Sequence, residues 1–134
     1  MIHEVSLKRT IVDSKGFDKE INERYLVENK ELCAEAEATM LEYWNAECEV
    51  TAVKQSKIME FVNKRDDDEQ EIYLSEIESI FVDDEGEEKA TKYVVGLFST
   101  SVEDATKAVK EYMKQGISDM RIVSIKRTKI ADLL

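Results

Sequence analysis

Ile11-Val12-Asp13-Ser14-Lys15-Gly16 returns about 70 residues later as Phe81-Val82-Asp83-Asp84-Glu85-Gly86, and that return frames the whole chain. Working outward, Tyr25-Leu26-Val27 recurs as Tyr93-Val94-Val95, and Ala36, Glu42 and Tyr43 recur as Ala105, Glu111 and Tyr112. Val53-Lys54 recurs as Ile125-Lys126, and Lys57-Ile58 as Lys129-Ile130. The order is kept throughout, so chance is a poor explanation.

Each half reads as strand, turn, strand, helix, strand. Val5, Leu7, Arg9 and Ile11 place mostly apolar side chains at alternate positions, as a half-buried strand does. Asp13 to Asp18 is polar, and Gly16 tolerates positive φ there, so the chain turns. A second strand follows over 20–28. From about Lys30 to Asn45 the period changes, and Cys33, Ala36, Met40, Tyr43 and Trp44 line one side of a helix. Cys33 is expected there as a small core residue. Residues 49–58 return to strand character. In the second half the strands are expected over 74–82, 89–97 and 121–129. The helix is expected over Val102–Lys114, opened by a Thr100/Glu103 capping box and stopped at Gly116.

Parallel strand–helix–strand steps are right-handed, so each third strand should lie parallel to its second, with the first between them. The fold expected is α+β: two ββαβ repeats forming one mainly antiparallel sheet of about six strands, with two helices on one face. One domain over 1–134 is expected, built of repeats over about 1–62 and 71–134. The polar connector 63–70 joins them. Two helices cannot cover both faces of such a sheet, so a twofold homodimer is expected.

The residues also resemble a known family. Tyr25-Leu26-Val27, Ala34-Glu35-Ala36-Glu37 and Glu49-Val50 with Val53-Lys54 are similar to the domain of unknown function 4494 family. So are Glu88-Lys89, Val94-Val95, Asp104-Ala105, Ser118-Asp119, Ile122-Val123-Ser124 and Thr128-Lys129-Ile130-Ala131-Asp132. The resemblance implies a phage or mobile-element protein acting inside a gut bacterium. It implies no activity and no catalytic residue.

Composition narrows the chemistry. The 134 residues hold 30 acids and 19 bases, a net charge of −11, which argues against a general nucleic-acid coat or an anionic membrane surface. No apolar run approaches the ~20 residues of a membrane-spanning helix, and the start has no leader pattern. A bacterial cytoplasm is therefore expected. Cys33 and Cys48 fit a reducing compartment and lack the close Cys or His neighbours that zinc needs. His3 is the only histidine and is expected in a frayed N-terminal stretch. Neither Asp66-Asp67-Asp68-Glu69 nor Asp83–Glu88 follows the order of a calcium loop. No catalytic residue, metal or cofactor is expected.

The leading expectation is a non-enzymatic protein that binds a host protein, as an acidic surface docks on a basic one. The alternative is sequestration of a phosphate-bearing small nucleotide, or nucleic-acid binding in phage replication. Its site would be a basic patch of Lys54, Lys57, Arg121, Lys126, Arg127 and Lys129. The plainer reading makes these edge-strand cations that discourage unwanted pairing.

Overall fold

A computed structural model describes residues 1–116 and 119–134. It has seven strands and two helices among those residues: β1 (His3–Val12), β2 (Asp18–Val27), α1 (Cys33–Tyr43), β3 (Glu49–Gln55), β4 (Ile58–Phe61), β5 (Glu71–Val82), β6 (Glu88–Ser99), α2 (Val102–Lys114) and β7 (Asp119–Arg127). They form two compact units, one of Met1–Ser56 with Ile130–Leu134, the other of Lys57–Lys129. Ser118, one of the residues carrying the family resemblance, lies outside the described residues.

In the first unit the sheet order is β2-β1-β3, with β1 antiparallel to both neighbours. Val5 sits opposite Tyr25 on one side and Val53 on the other. Alternation sends Val5, Leu7, Tyr25 and Val27 to the face where α1 adds Ala36 and Met40, and these six form the buried core. Each large apolar side chain there contributes about 1.5–3 kcal/mol through burial. Thr51 is the extra residue of a bulge where the β1–β3 register shifts between Ser6 and Leu7.

The second unit has the order β4-β6-β5-β7, with β5 antiparallel to β6 and β7. Tyr73, Ile77, Val95 and Leu97 face Ala105 and Val109 of α2. Its β5–β7 register shifts between Glu76 and Ile77, the positions matching Ser6 and Leu7, which makes Val123 the extra residue. The two hairpin turns also share one construction. Asp13 Oδ1 accepts from the N–H groups of Lys15 and Phe17, and Asp83 Oδ1 from those of Glu85 and Glu87. Gly16 and Gly86 then take φ of 81° and 82°, where a Cβ would be strained.

The strands do not join into one sheet of about six. Residues 49–58 do not form one strand: it stops at Gln55, and Ile58–Phe61 starts afresh as β4, parallel to β6. Val62 N–H extends that pairing to Gly96 O at 2.8 Å. Gly96 is needed for the approach, since a Cβ there would meet the Phe61 ring at 2.6 Å. Ile130–Leu134 runs along β2 in the first unit, with Leu26 N–H to Asp132 O at 2.9 Å and Leu134 N–H to Leu26 O at 2.7 Å. The free edge of each hairpin is thus taken by a short segment following the other half's last long strand. Neither hairpin edge is left for sheet-to-sheet pairing, and the sheets hold three strands and four.

Smaller expectations also change. Cys33 is exposed at the start of α1, not part of its buried stripe. His3 is not frayed: it opens β1 at 1% exposure, paired between Val27 and Gln55. Helix α2 is capped by Ser101, whose side chain accepts from Asp104 N–H, one residue later than the Thr100/Glu103 box. In the connector, Gln70 Oε1 accepts from the N–H groups of Asp66 and Asp67, and residues 66–69 are exposed.

Candidate functional site

The six basic residues of the expected patch are all exposed, but carboxylates hold three of them. Lys54 lies 3.2 Å from Glu4, Arg121 lies 2.8 Å from Glu78, and Arg127 lies 3.3 Å from Glu71. Glu4 and Glu78 are themselves mostly shielded, so their charges are answered from across the strand. Lys54 belongs to the first unit and the other five to the second. In the second unit Arg121 and Lys126 share the sheet face away from α2, because they sit opposite Glu78 and Leu74.

Two other features stand out. The first is the pair of long hairpins. Their outermost residues are exposed, and they end in apolar side chains set among charged ones, Asp13, Lys15, Asp18 and Lys19 at the first tip and five acids at the second. Val12 (67% exposed) and Phe17 (68%) stand beside Asp13 and Asp18; Phe81 (44%) and Val82 (68%) stand beside Asp83 and Glu88. Asp83, Glu85 and Glu87 bring carboxylate oxygens within 4.8 Å of one another. Asp83 is already engaged by two N–H groups and by Lys89 at 3.4 Å, so the cluster is accounted for as turn structure.

The second feature is a corner of the first unit where α1 ends. Arg9 continues the helix-facing row of Val5 and Leu7, so a charged side chain meets the aromatic end of the helix. Its Nε–H donates to the Glu23 carboxylate, and its guanidinium lies over the Trp44 ring, 4.2 Å from the centroid. Tyr25, Tyr43 and Trp44 pack with centroids 5.1–6.2 Å apart. The bond to Glu23 raises the Arg9 pKa above its ordinary value. Burial pushes the Tyr25 hydroxyl up to about 12, and burial also raises the Cys48 thiol, which stays protonated at neutral pH. Helix α1 is followed by Asn45 and Ala46 at φ of 50° and 61°; the left-handed setting is costly for alanine. Beside this corner a cleft of about 460 Å³ is lined by Lys8, Arg9, Thr10, Glu20, Ala46, Glu47, Cys48 and Glu49.

Over residues 2–134 the chain matches the family described as domain of unknown function (DUF4494). It belongs to that family. No curated protein and no solved structure matches it. In this DUF4494 chain, several residues that carried the resemblance pack the two cores: Tyr25, Val27 and Ala36 in one unit, Val95 and Ala105 in the other. The likeness is therefore carried in part by packing.

The Arg9 corner escaped the reading of the sequence, although a signal was there. Arg9 interrupts an otherwise apolar alternation, and Trp44 faces a match, Met113, that is merely apolar.

Proposed function

We propose that the protein is a small acidic phage or mobile-element protein of the bacterial cytoplasm, acting without catalysis by binding a host protein through its hairpin tips. The carrying observation is the exposed apolar pair at each tip: Val12 with Phe17, set among Asp13, Lys15, Asp18 and Lys19, and Phe81 with Val82, set among Asp83, Asp84, Glu85, Glu87 and Glu88. Solvated apolar side chains at the ends of projecting arms are the kind of surface that association buries. The acids of the second tip and the net charge of −11 favour a partner whose pocket is rimmed by Lys and Arg. The common construction of the two arms, down to the Asp-anchored turn and the matched bulge, supports an internal repeat that presents the same device twice. Sequestration of a phosphate-bearing small nucleotide, or nucleic-acid binding, ranks second, because Glu4, Glu78 and Glu71 already answer Lys54, Arg121 and Arg127.

A photo-crosslinking residue placed at Phe17 or at Phe81 in the bacterial host tests the proposal, with Lys107 on α2 as control. Both tips are expected to capture the same protein, and capture should weaken as salt rises. No capture from either tip, or equal capture from Lys107, would overturn it.

A further inference from the structure

We propose that the free edge of β3 pairs with the same edge of a second copy of this chain, antiparallel and around a twofold axis that passes between Thr51 and Ala52. The strand Glu49–Gln55 lies outside both hairpin tips, so this surface is independent of the one above. β3 has β1 as its one strand neighbour, and no residue of it makes a backbone bond on its other side among the described residues. Glu49, Thr51, Ala52, Lys54 and Gln55 are exposed. Such an edge carries a row of N–H and C=O groups that another strand can take in ladder pairing.

What selects a second copy is the order of side chains along the edge. The bulge at Thr51 lets Val50 and Val53 both pack against the α1 core, although an unbroken strand would send them to opposite faces. Glu49 and Lys54 share the other face, opposite Lys8 and Glu4 of β1. Run antiparallel about the proposed axis, Val50 meets Val53 of the second copy, and Glu49 meets Lys54 of the second copy. Apolar side chains thus meet on one face and opposite charges on the other. The row across the joint reads Lys8, Glu49, then Lys54 and Glu4 of the second copy, alternating in sign throughout. Lys54 lies 3.2 Å from Glu4 with its side chain 74% exposed, and Glu49 has no ion pair among the described residues, so both are open to the new partner.

β7 is the matching edge of the second unit, and its charges oppose the same pairing. Its bulge at Val123 likewise lets Ile122 and Ile125 both pack on the α2 core, with Arg121 and Lys126 on the other face. The same twofold register on β7 would set Arg121 against Lys126 of the second copy, like charges at both ends of the joint. Joining β3 to β7 in that register would set Lys54 against Arg121. Of these three pairings, only β3 with β3 places opposite charges at both ends.

Sedimentation of the whole protein over a range of concentrations tests this. The unaltered protein should approach a mass of twice 15.5 kDa, and hydrogen exchange of the β3 amides that face away from β1 should slow over the same range. Glu49→Lys and Lys54→Glu should each weaken the dimer at least about tenfold by setting like charges against each other. An equal mixture of the two variants should recover it, because each supplies the charge that the other has lost. Lys107→Glu on α2, which changes the net charge as Lys54→Glu does, should leave the dimer as it was. The exchange measurement needs no substitution, so it decides even where a variant folds poorly. Any of three results overturns the proposal: a mass that stays at 15.5 kDa up to about 1 mM, a dimer whose β3 amides exchange as fast as those of the monomer, or a mixture that associates no better than either variant alone.

Discussion

Tyr25 shows how much a single side chain reports about its unit. Its ring closes the first core against Tyr43 and Trp44, and burial pushes its hydroxyl from the ordinary 10.0 up to about 12. Below the unfolded value both folded and unfolded chains keep the proton, and the stability is fully present. Between 10.0 and about 12 the unfolded chain ionises first, so stability falls as the pH rises. Urea unfolding measured across that window should show a falling midpoint, and Tyr25→Phe should remove part of the slope. Only part is expected, because burial raises Tyr93 and Tyr112 as well. An unchanged slope in Tyr25→Phe would contradict the reading. Tyr25 was legible in the sequence because it recurs as Tyr93; Arg9 was not, because a cation on an apolar strand face is recognised only once its stacking partner is placed.

The hairpin arm is the element that repeats most closely, and its turn depends on one aspartate in each copy. Asp13→Ala and Asp83→Ala each remove two side-chain bonds to backbone N–H groups at an exposed site. Each should cost about 1 kcal/mol in chemical denaturation. Similar losses are expected from the matched turn bonds, with Asp83→Ala losing up to a few tenths of a kcal/mol more because it also gives up its exposed pair with Lys89, and a loss in only one would break the equivalence. The elements that were legible are those with a strong local period. Helix α2 begins and ends where its apolar spacing puts it, with Ala105 and Val109 buried. Helix α1 is shorter than the 30–45 expected, since its start is fixed by Leu32 and Glu35 rather than by Lys30. The break between Gln55 and Ile58 had no local signal. Both sides are β-forming, and only the free edge of β6 decides that Ile58–Phe61 becomes a separate strand.

At the scale of the molecule, each unit is completed by residues from the other half of the sequence. β4 follows β3 in the chain but pairs with β6, while Ile130–Leu134 follows β7 and pairs with β2. β3 and β7 each have one hydrogen-bonded strand neighbour and one open edge among the described residues. Their bulges at Thr51 and Val123, and the cations of β7, blunt those edges against indiscriminate pairing. The single sheet from which a twofold homodimer was expected does not form, so the dimer is a proposal that light scattering decides: a mass near twice 15.5 kDa would support it, and a mass that stays at 15.5 kDa at every concentration would end it. The most direct test of the whole account is to cut the chain in its exposed connector, between Arg65 and Asp66, and express the fragments 1–65 and 66–134 separately and together. Each fragment alone lacks the strand that closes its own hairpin edge, so neither should show a cooperative unfolding transition. The mixture should regain one, with Leu26 and Glu28 N–H again protected from hydrogen exchange by Asp132 and Leu134. Cooperative unfolding of either fragment by itself would contradict the reciprocal completion on which the paired arms depend.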